Sequence, residues 1–548
     1  MRERSLVAIL GVAGVCVLTA GLALWLTAGS QAETAATNTI LAIPDNPAAL
    51  AATEAQEALV VASLPGTVDE IGAPEAEVMA PLPAQSEKLL IVDDIRAKLK
   101  DSGSRVGAHA DDIAGLEAFY AEHTGPALWM TSDGLSPEAQ KILGEIAKAD
   151  EWGLDVGAFI VPPADYRPTT AEDQAATEIA IDLAILRYAR YARGGRADPA
   201  ALSKVMDQTA TLRDPKTVLT EIAVTETPDA YLRGLHPKHK QFEQLRQALL
   251  KARAGGDAKP EDVKGLLVNM ERWRWMPEDL GPLYVWVNTP EFVVSVVKGD
   301  ETIHSERIVV GKRVYATPAF SAEMKTIVFN PEWVVPQTII KEDLLPKLRV
   351  KKSGGFLSLS ESGYDLEVLK VNHLTVKYKD RVIDPIKVDW QNVNMKNITF
   401  VQPPGPRNVL GKVKFLYPNE HAVYLHDTLK RGLFKNAVRV EGHQCPRVAN
   451  PDKFAATLLA EDKGWTKDKI DKLMANGKNT AVDLDHPMPV HTTYFTAVVD
   501  ADGKVKTFED IYRLDAKVAS TVIGKSVGAP ALANTAPAPR GSLATTSP

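Results

Sequence analysis

The hydrophobic period of this chain switches once, at the aromatic segment Glu271-Arg272-Trp273-Arg274-Trp275, and that switch limits the folds open to it. Before the switch, apolar residues recur at helical spacing. Ser136 followed by Pro137 makes a helix start, with Ile142, Leu143 and Ile146 on one face and Gly153 as a stop. Thr169 with Glu172 forms a capping box, opening a helix that runs through Ile179, Leu183 and Leu186 to Gly194. After the switch, β-branched runs at Leu283–Asn288, Phe292–Val297 and Thr302–Val310 read as strands, with Gly299-Asp300 as a hairpin turn. Further strand-like runs follow at Thr326–Phe329, Val413–Tyr417, Ala422–His426 and Ala437–Glu441. Short helices around Phe454–Leu459 and Lys469–Met474 precede a last hairpin, Val490–Val499 with Lys504–Tyr512. The stretch from Ile340 to Gln402, which holds a KKSGG run, interrupts this pattern and has the size of a lid. Helices first and strands after predict an α+β chain, a helical domain followed by a mainly β one.

The N-terminus predicts where the chain works. Arg2 and Arg4 precede an uncharged stretch of 23 residues, Leu6–Ala28. A secretory apolar core runs to about 7–15 residues and a spanning helix needs about 20, so the length favours an uncleaved anchor. Ser30-Gln31-Ala32 nevertheless carries the small-x-small pattern of a cleavage site. In either case the basic residues stay inside and the remainder is exported. The expected organisation is a signal anchor or signal peptide over 1–32, a flexible Ala/Pro-rich linker over 33–85 and a helical domain over 86–262. The mainly β domain follows over 263–523 with its insertion at 340–402, then a low-complexity tail over 524–548. The formal net charge of −7 and the lack of a Lys/Arg run argue against a nucleic-acid partner.

The chain has two cysteines, Cys16 in the apolar segment and Cys445, so the exported part holds a single thiol and no intrachain disulfide. A lone cysteine in oxidising space is paired between chains, avoided, or used, and the plain alternative is an inert buried thiol. Cys445 lies in EGHQCPRVANP, 19 residues after His426 in YLHDT. If His426 ends one strand and Cys445 follows the next antiparallel strand, imidazole and thiol meet at one end of the sheet, the arrangement that activates a cysteine. Asp427 or a backbone carbonyl would then fix the ring tautomer. The run Gly442-His443-Gln444 would offer backbone N–H groups to an oxyanion, and Arg447 a fork for a carboxylate. His421, His426, His443 and Cys445 also form a soft donor set for zinc, although His443-x-Cys445 is not a usual zinc spacing.

From about Asp112 to Asp515 the chain resembles the large L,D-transpeptidases of Gram-negative bacteria, which carry a YkuD-type catalytic domain. The matching segments are LLVNMERWRWMP at Leu266–Pro277, FNPEWVVPQTIIKEDLLPKLR at Phe329–Arg349 and PPGPRNVLGKVKFLYPN at Pro403–Asn419, with YLHDT, CPRV and VHTTYFTAVVDADGKV. The resemblance implies a helical scaffold, a β-sandwich-like catalytic domain and a capping subdomain at 340–402. It implies Cys445 as nucleophile, His426 as base, Arg447 in support, and Tyr424 and Asn408 in the pocket wall, with no metal and no cofactor. The implied partners are peptidoglycan stem peptides, a tetrapeptide donor and an amine acceptor. The inner membrane, through the N-terminal anchor, and other cell-wall synthesis proteins complete the set. The implied reaction is 3→3 cross-linking through a cysteine thioester with release of D-Ala, and carbapenem sensitivity goes with it. An L,D-carboxypeptidase and an enzyme attaching a protein to the wall share that thioester, and a catalytically impaired wall-binding scaffold is the non-enzymatic alternative.

Two departures stand out. The family's glycine before the cysteine is Gln444 here, and Pro446 follows where the family has Val or Ile. A side chain at 444 hinders a conformation or close approach that glycine permits, and Pro446 removes a backbone donor. Losing one oxyanion donor costs roughly 100- to 1,000-fold in rate. The second departure is the span Leu232–Leu266, too short for the peptidoglycan-binding repeat that many large members carry. Trp273 and Trp275 are expected in the core rather than as sugar platforms.

Overall fold

The computed structural model describes residues 87–101, 103, 107–255, 259–349 and 364–523. The expected membrane segment, linker, KKSGG run and tail lie outside the described residues.

The scaffold is built on the long helix Ala171–Gly194, whose buried residues recur along its length. Around it pack Val92–Lys98, Ala110–Glu122, Pro137–Ile146, Pro215–Ala223 and Pro228–Gly234, joined in one apolar cluster with Tyr120, Trp129, Ile142, Ile185 and Leu219. A two-stranded ribbon, β1 (Met130–Thr131) and β2 (Gly134–Leu135), leads into Pro137–Ile146. That helix starts as expected, with Ser136 Oγ accepting from the Ala139 N–H and Pro137 in the first turn. The expected capping box is displaced by one residue. Thr170, not Thr169, caps Ala171–Gly194 by accepting from the Asp173 N–H.

The boundary expected between 262 and 263 falls inside the helix Pro260–Arg274. This helix and Lys240–Ala254 share a core with the C-terminal hairpin through Phe242, Leu245, Met270, Trp273, Phe495 and Val499. The segment Glu271–Trp275 is buried throughout, tryptophans included. Arg193 donates to the carbonyls of Arg274 and Met276, and Arg272 reaches Asp515 at 2.7 Å. Buried charge is tolerated only when paired in this way, so this segment fastens scaffold to barrel.

The β domain is where the expected architecture changes. Its strands are β3 (Leu283–Asn288), β4 (Val293–Lys298), β5 (Glu301–Val309), β6 (Phe320–Phe329), β11 (Val413–Leu416), β12 (Leu425–His426), β13 (Arg447–Val448) and β14 (Thr480–Thr493). They form a closed barrel in the order β11-β12-β13-β5-β4-β3-β14-β6, rather than the two facing sheets of a sandwich. Closure depends on β14, 14 residues long, which pairs parallel with β3 and antiparallel with β6 across a register shift between Asp483 and Met488. The expected last hairpin is shorter, β15 (Ala497–Val499) with β16 (Val505–Thr507), because Val490–Thr493 belongs to β14. The helices Pro451–Lys463 and Lys467–Ala475 follow β13.

The cap is a separate sheet in the order β7 (Trp333–Val334), β10 (Ile398–Gln402), β8 (Thr375–Tyr378), β9 (Arg381–Val382). It therefore starts ahead of Ile340. A helical segment from Gln337 to Leu348, with a π-turn over Ile340–Leu344, follows β7. Trp390 and Phe400 stack inside it, and its apolar face is continuous with the barrel core.

Candidate active site

Strand register assembles the site. Lys414 pairs with His426 across β11 and β12, and His426 pairs with Arg447 across β12 and β13. Paired residues project on one side of a sheet. Phe415, Leu425 and Val448 fill the barrel interior, so Lys414, His426 and Arg447 form one row on its outer face. Tyr424, two residues before His426, shares that face, with its ring 5.6 Å from the imidazole.

β12 and β13 run parallel. Cys445 therefore does not follow an antiparallel neighbour of the His426 strand; it precedes a parallel one. The run Ala437–Glu441, read as a strand, makes only a single bridge, Val310 to Val440. The ladder edge of β5 it would need is already occupied by β13, through Arg447–Val309 and Val448–Ile308. Cys445 sits in the turn entering β13, and the His426 N–H donates to the Pro446 carbonyl at 3.2 Å. Histidine and cysteine are thus brought to adjacent backbone positions. Cys445 is 1% exposed, and its Sγ lies 4.0 Å from the carbonyl of Ala422, a residue with φ of 52°.

His426 is fully buried, and its Nδ1 lies 2.5 Å from the Asp427 carbonyl. A carbonyl only accepts, so Nδ1 carries the proton and Nε2 the lone pair. Nε2 has no hydrogen-bond partner among the described residues. Burial, and next the Arg447 cation, pull this imidazole down to about 3, and Lys414 acts in the same direction. The ring is neutral across the physiological range, the state a general base requires. Of the two orienting groups expected, the backbone carbonyl takes the role. The Asp427 carboxylate is turned away, accepting from the Lys412 N–H at 2.8 Å and the Thr428 N–H at 2.6 Å, and pairing with Arg431. Gly411 allows this, since a Cβ there would meet Asp427 Oδ2 at 2.2 Å.

The turn before Cys445 is held from several sides. Thr317 Oγ1 donates to the Gln444 carbonyl at 2.7 Å and accepts from the Gly311 N–H. Tyr512 donates to the Gly311 carbonyl and accepts from the Thr317 N–H. His443 is 2% exposed and stacks on Tyr315 at 3.9 Å. Tyr315 in turn donates to Glu342 of the cap at 3.0 Å. Arg447, 2% exposed, lies beneath the turn against Gly442 rather than open to a ligand carboxylate. Gln444 is half-buried and is not among the residues with positive φ. The left-handed residue of this turn is Gly442, at φ +83°, so a side chain at 444 costs no backbone strain.

Not every expected residue joins the site. Asn408 is buried in the connection from β10 to β11, where its amide donates to the carbonyls of Pro331, Gln402 and Pro403. It braces the connection between β10 and β11. His421 is bonded to Asp207 of the scaffold at 2.8 Å, and with His443 stacked on Tyr315 the soft donor set does not converge. Tyr315, Thr317, Tyr512, Ala422 and Lys414 escaped the sequence reading because no local pattern links them to Cys445.

Residues 114–249 match the model of the scaffold domain, and residues 282–470 match the model of the L,D-transpeptidase catalytic domain. A protein of Haemophilus influenzae, named as a candidate L,D-transpeptidase, is 30% identical over 253 residues. The match covers 46% of this chain and 48% of that protein, so the chain spans about half the length of this relative. The helical region of the chain is thus similar to the scaffold domain and its barrel to the L,D-transpeptidase catalytic domain.

Proposed function

We propose that this chain is a peptidoglycan L,D-transpeptidase that forms 3→3 cross-links through a thioester on Cys445. The observation that carries this reading is the His426 imidazole, buried, locked by the Asp427 carbonyl and left with an unpartnered Nε2 next to the cysteine turn. Cys445 Sγ attacks the carbonyl of the third residue of a tetrapeptide stem while its proton passes to His426 Nε2. The carbon–nitrogen bond to the terminal D-Ala breaks, and the proton on His426 goes to the leaving amine. An amine of a second stem then gives its proton to His426 and attacks the thioester, and Cys445 leaves as the thiol. Main-chain N–H groups of the 442–445 turn supply the oxyanion donors, since Pro446 has none. The enzyme works outside the cytoplasm, in the periplasm, tethered to the inner membrane through the N-terminal segment.

The test is intact mass spectrometry of the chain incubated with a disaccharide tetrapeptide, beside a Cys445→Ala control. A thioester adduct, D-Ala release and 3→3 dimers support the reading. An adduct that yields only tripeptide points to water, or to an absent protein amine, as the acceptor. No adduct from folded protein with a free thiol would sink it and leave a wall-binding scaffold.

A further inference from the structure

The loop between β11 and β12 touches the Cys445 thiol, and it is held from the scaffold. Ala422 has φ of 52°, and its carbonyl oxygen lies 4.0 Å from Cys445 Sγ. A left-handed alanine is unfavourable and persists only where its surroundings impose it. Part of that constraint is local. The Asn419 side chain donates to the carbonyls of Tyr417 and Val423 at 2.6 and 2.8 Å and accepts from the Val423 N–H, while the Ala422 N–H donates to the Asn419 carbonyl. The other hold is His421, next to Ala422 in the chain. Its ring lies 5.1 Å from that of Phe320, and its Nε2 is 2.8 Å from Asp207 Oδ2.

Asp207 belongs to the scaffold, on the stretch after the short helix Pro199–Leu202, and that stretch is fastened to the barrel. The Asp207 N–H donates to the Ala319 carbonyl and the Ala319 N–H to the Val205 carbonyl, both at 2.8 Å. Met206, between them, is buried in the barrel core. The carboxylate that holds His421 is therefore carried on a fixed backbone. A cysteine sulfur is placed by a single torsion, so a carbonyl packed against it helps set where it stands. We propose that Asp207 is a positioning residue for thioester formation, fixing through His421 the Ala422 carbonyl that places Sγ of Cys445. This inference rests on the transpeptidase reading and gives the scaffold a part in the reaction. The His421 and Asp207 side chains are 19% and 45% exposed, and an ion pair so open to water contributes little to stability. Its effect falls on the rate rather than on the fold.

The experiment uses the full chain with a disaccharide tetrapeptide donor and the variants Asp207→Ala, Asp207→Asn and His421→Ala. Asp207→Ala is expected to slow thioester formation about fivefold, the population shift an exposed pair can hold. KM for the donor should change less than about twofold, because the pair holds protein rather than substrate. Asp207→Asn keeps an acceptor for the ring N–H and should return the rate to within about twofold of the parent chain. His421→Ala should match Asp207→Ala, and the double variant should lose no more than either single one. Tm should move by less than about 2 °C in every case. Alkylation of Cys445 by iodoacetamide needs no donor, and its rate should change at least about threefold in Asp207→Ala and recover in Asp207→Asn. Thioester and alkylation rates of Asp207→Ala within about 1.5-fold of the parent chain overturn the proposal, and so does a loss that Asp207→Asn fails to rescue. The two failures are distinguishable. Thioester from the parent chain with an unchanged Asp207→Ala removes only the role of Asp207. No thioester from the parent chain removes the transpeptidase reading, and the alkylation rates then decide whether Asp207 places the thiol.

Discussion

Gly442 is the position where the smallest change should do the most harm. It has φ of +83°, and a Cβ there would stand 2.2 Å from Nη2 of the buried Arg447. Alanine would carry a backbone term of about 1–3 kcal/mol for a left-handed non-glycine residue. It would add about 1–3 kcal/mol for displacing a packed neighbour, so Gly442→Ala is expected to cost about 2–6 kcal/mol in the stability of the barrel. The two terms can be separated. In an Arg447→Met background the guanidinium is gone and only the backbone term remains, so the double-mutant cycle should show a coupling of about 1–3 kcal/mol. Urea unfolding supplies the stabilities. The rate of Cys445 alkylation by iodoacetamide reports whether the turn has moved, with at least a tenfold change expected in the single variant. Equal costs in both backgrounds, or a cost below about 0.5 kcal/mol, would refute the claim that Gly442 is required by the approach of Arg447.

Other consequences follow from the same geometry. Because a backbone carbonyl orients His426, Asp427→Asn should lower kcat by less than tenfold, against about 10,000-fold for an orienting carboxylate of a serine-protease triad; steady-state kinetics that show the larger loss would reinstate the carboxylate. His426 is held far below an ordinary imidazole by burial and then by Arg447, so the acid limb of kcat/KM should fall below pH 5, and a limb near 6.5 would contradict the burial. The same residue contributes stability above about pH 6.5 that is lost as pH falls toward 3, because only the unfolded imidazole takes up a proton in that window. His426→Gln should flatten that fall in a Tm series. In the scaffold, burial raises Glu178 to about 7 while it accepts the Leu128 and Trp129 N–H groups beside Asp182. A carboxylate raised in this way makes the fold lose stability as pH rises from about 4.5 through 7. Glu178→Gln should reduce that slope in Tm, and an unchanged slope would mean the proton is held elsewhere.

Local chemistry made part of this legible in the sequence. Helix starts need only a capping side chain and a proline within one turn, so the start at Ser136-Pro137 could be read directly. The cap expected at Thr169 with Glu172 falls instead at Thr170 with Asp173, because the same capping chemistry is available one residue apart. The strands β3, β4, β5 and β11 followed from β-branched runs, and the burial of Trp273 and Trp275 from their bulk. His426 and Cys445 were legible as a pair because imidazole and thiol are few in this chain and stand close in sequence.

What the sequence could not determine is which strand takes which edge. Whether Ala437–Glu441 or Arg447–Val448 pairs with β5 depends on how the barrel closes, and the hydrophobic alternation of either segment would serve. That one choice turned an expected antiparallel neighbour into a parallel one and moved Cys445 to the entry of β13. It also placed Lys414, His426 and Arg447 in one row from three separate segments. Nor does any motif reveal that a carbonyl replaces the Asp427 carboxylate, or that Arg447 is spent beneath Gly442. Residue types and their local spacing settle which groups can do chemistry, because those properties belong to a few neighbouring residues. Their partners were decided by tertiary structure, because hydrogen-bond direction and burial are set by segments that meet only when the barrel shuts.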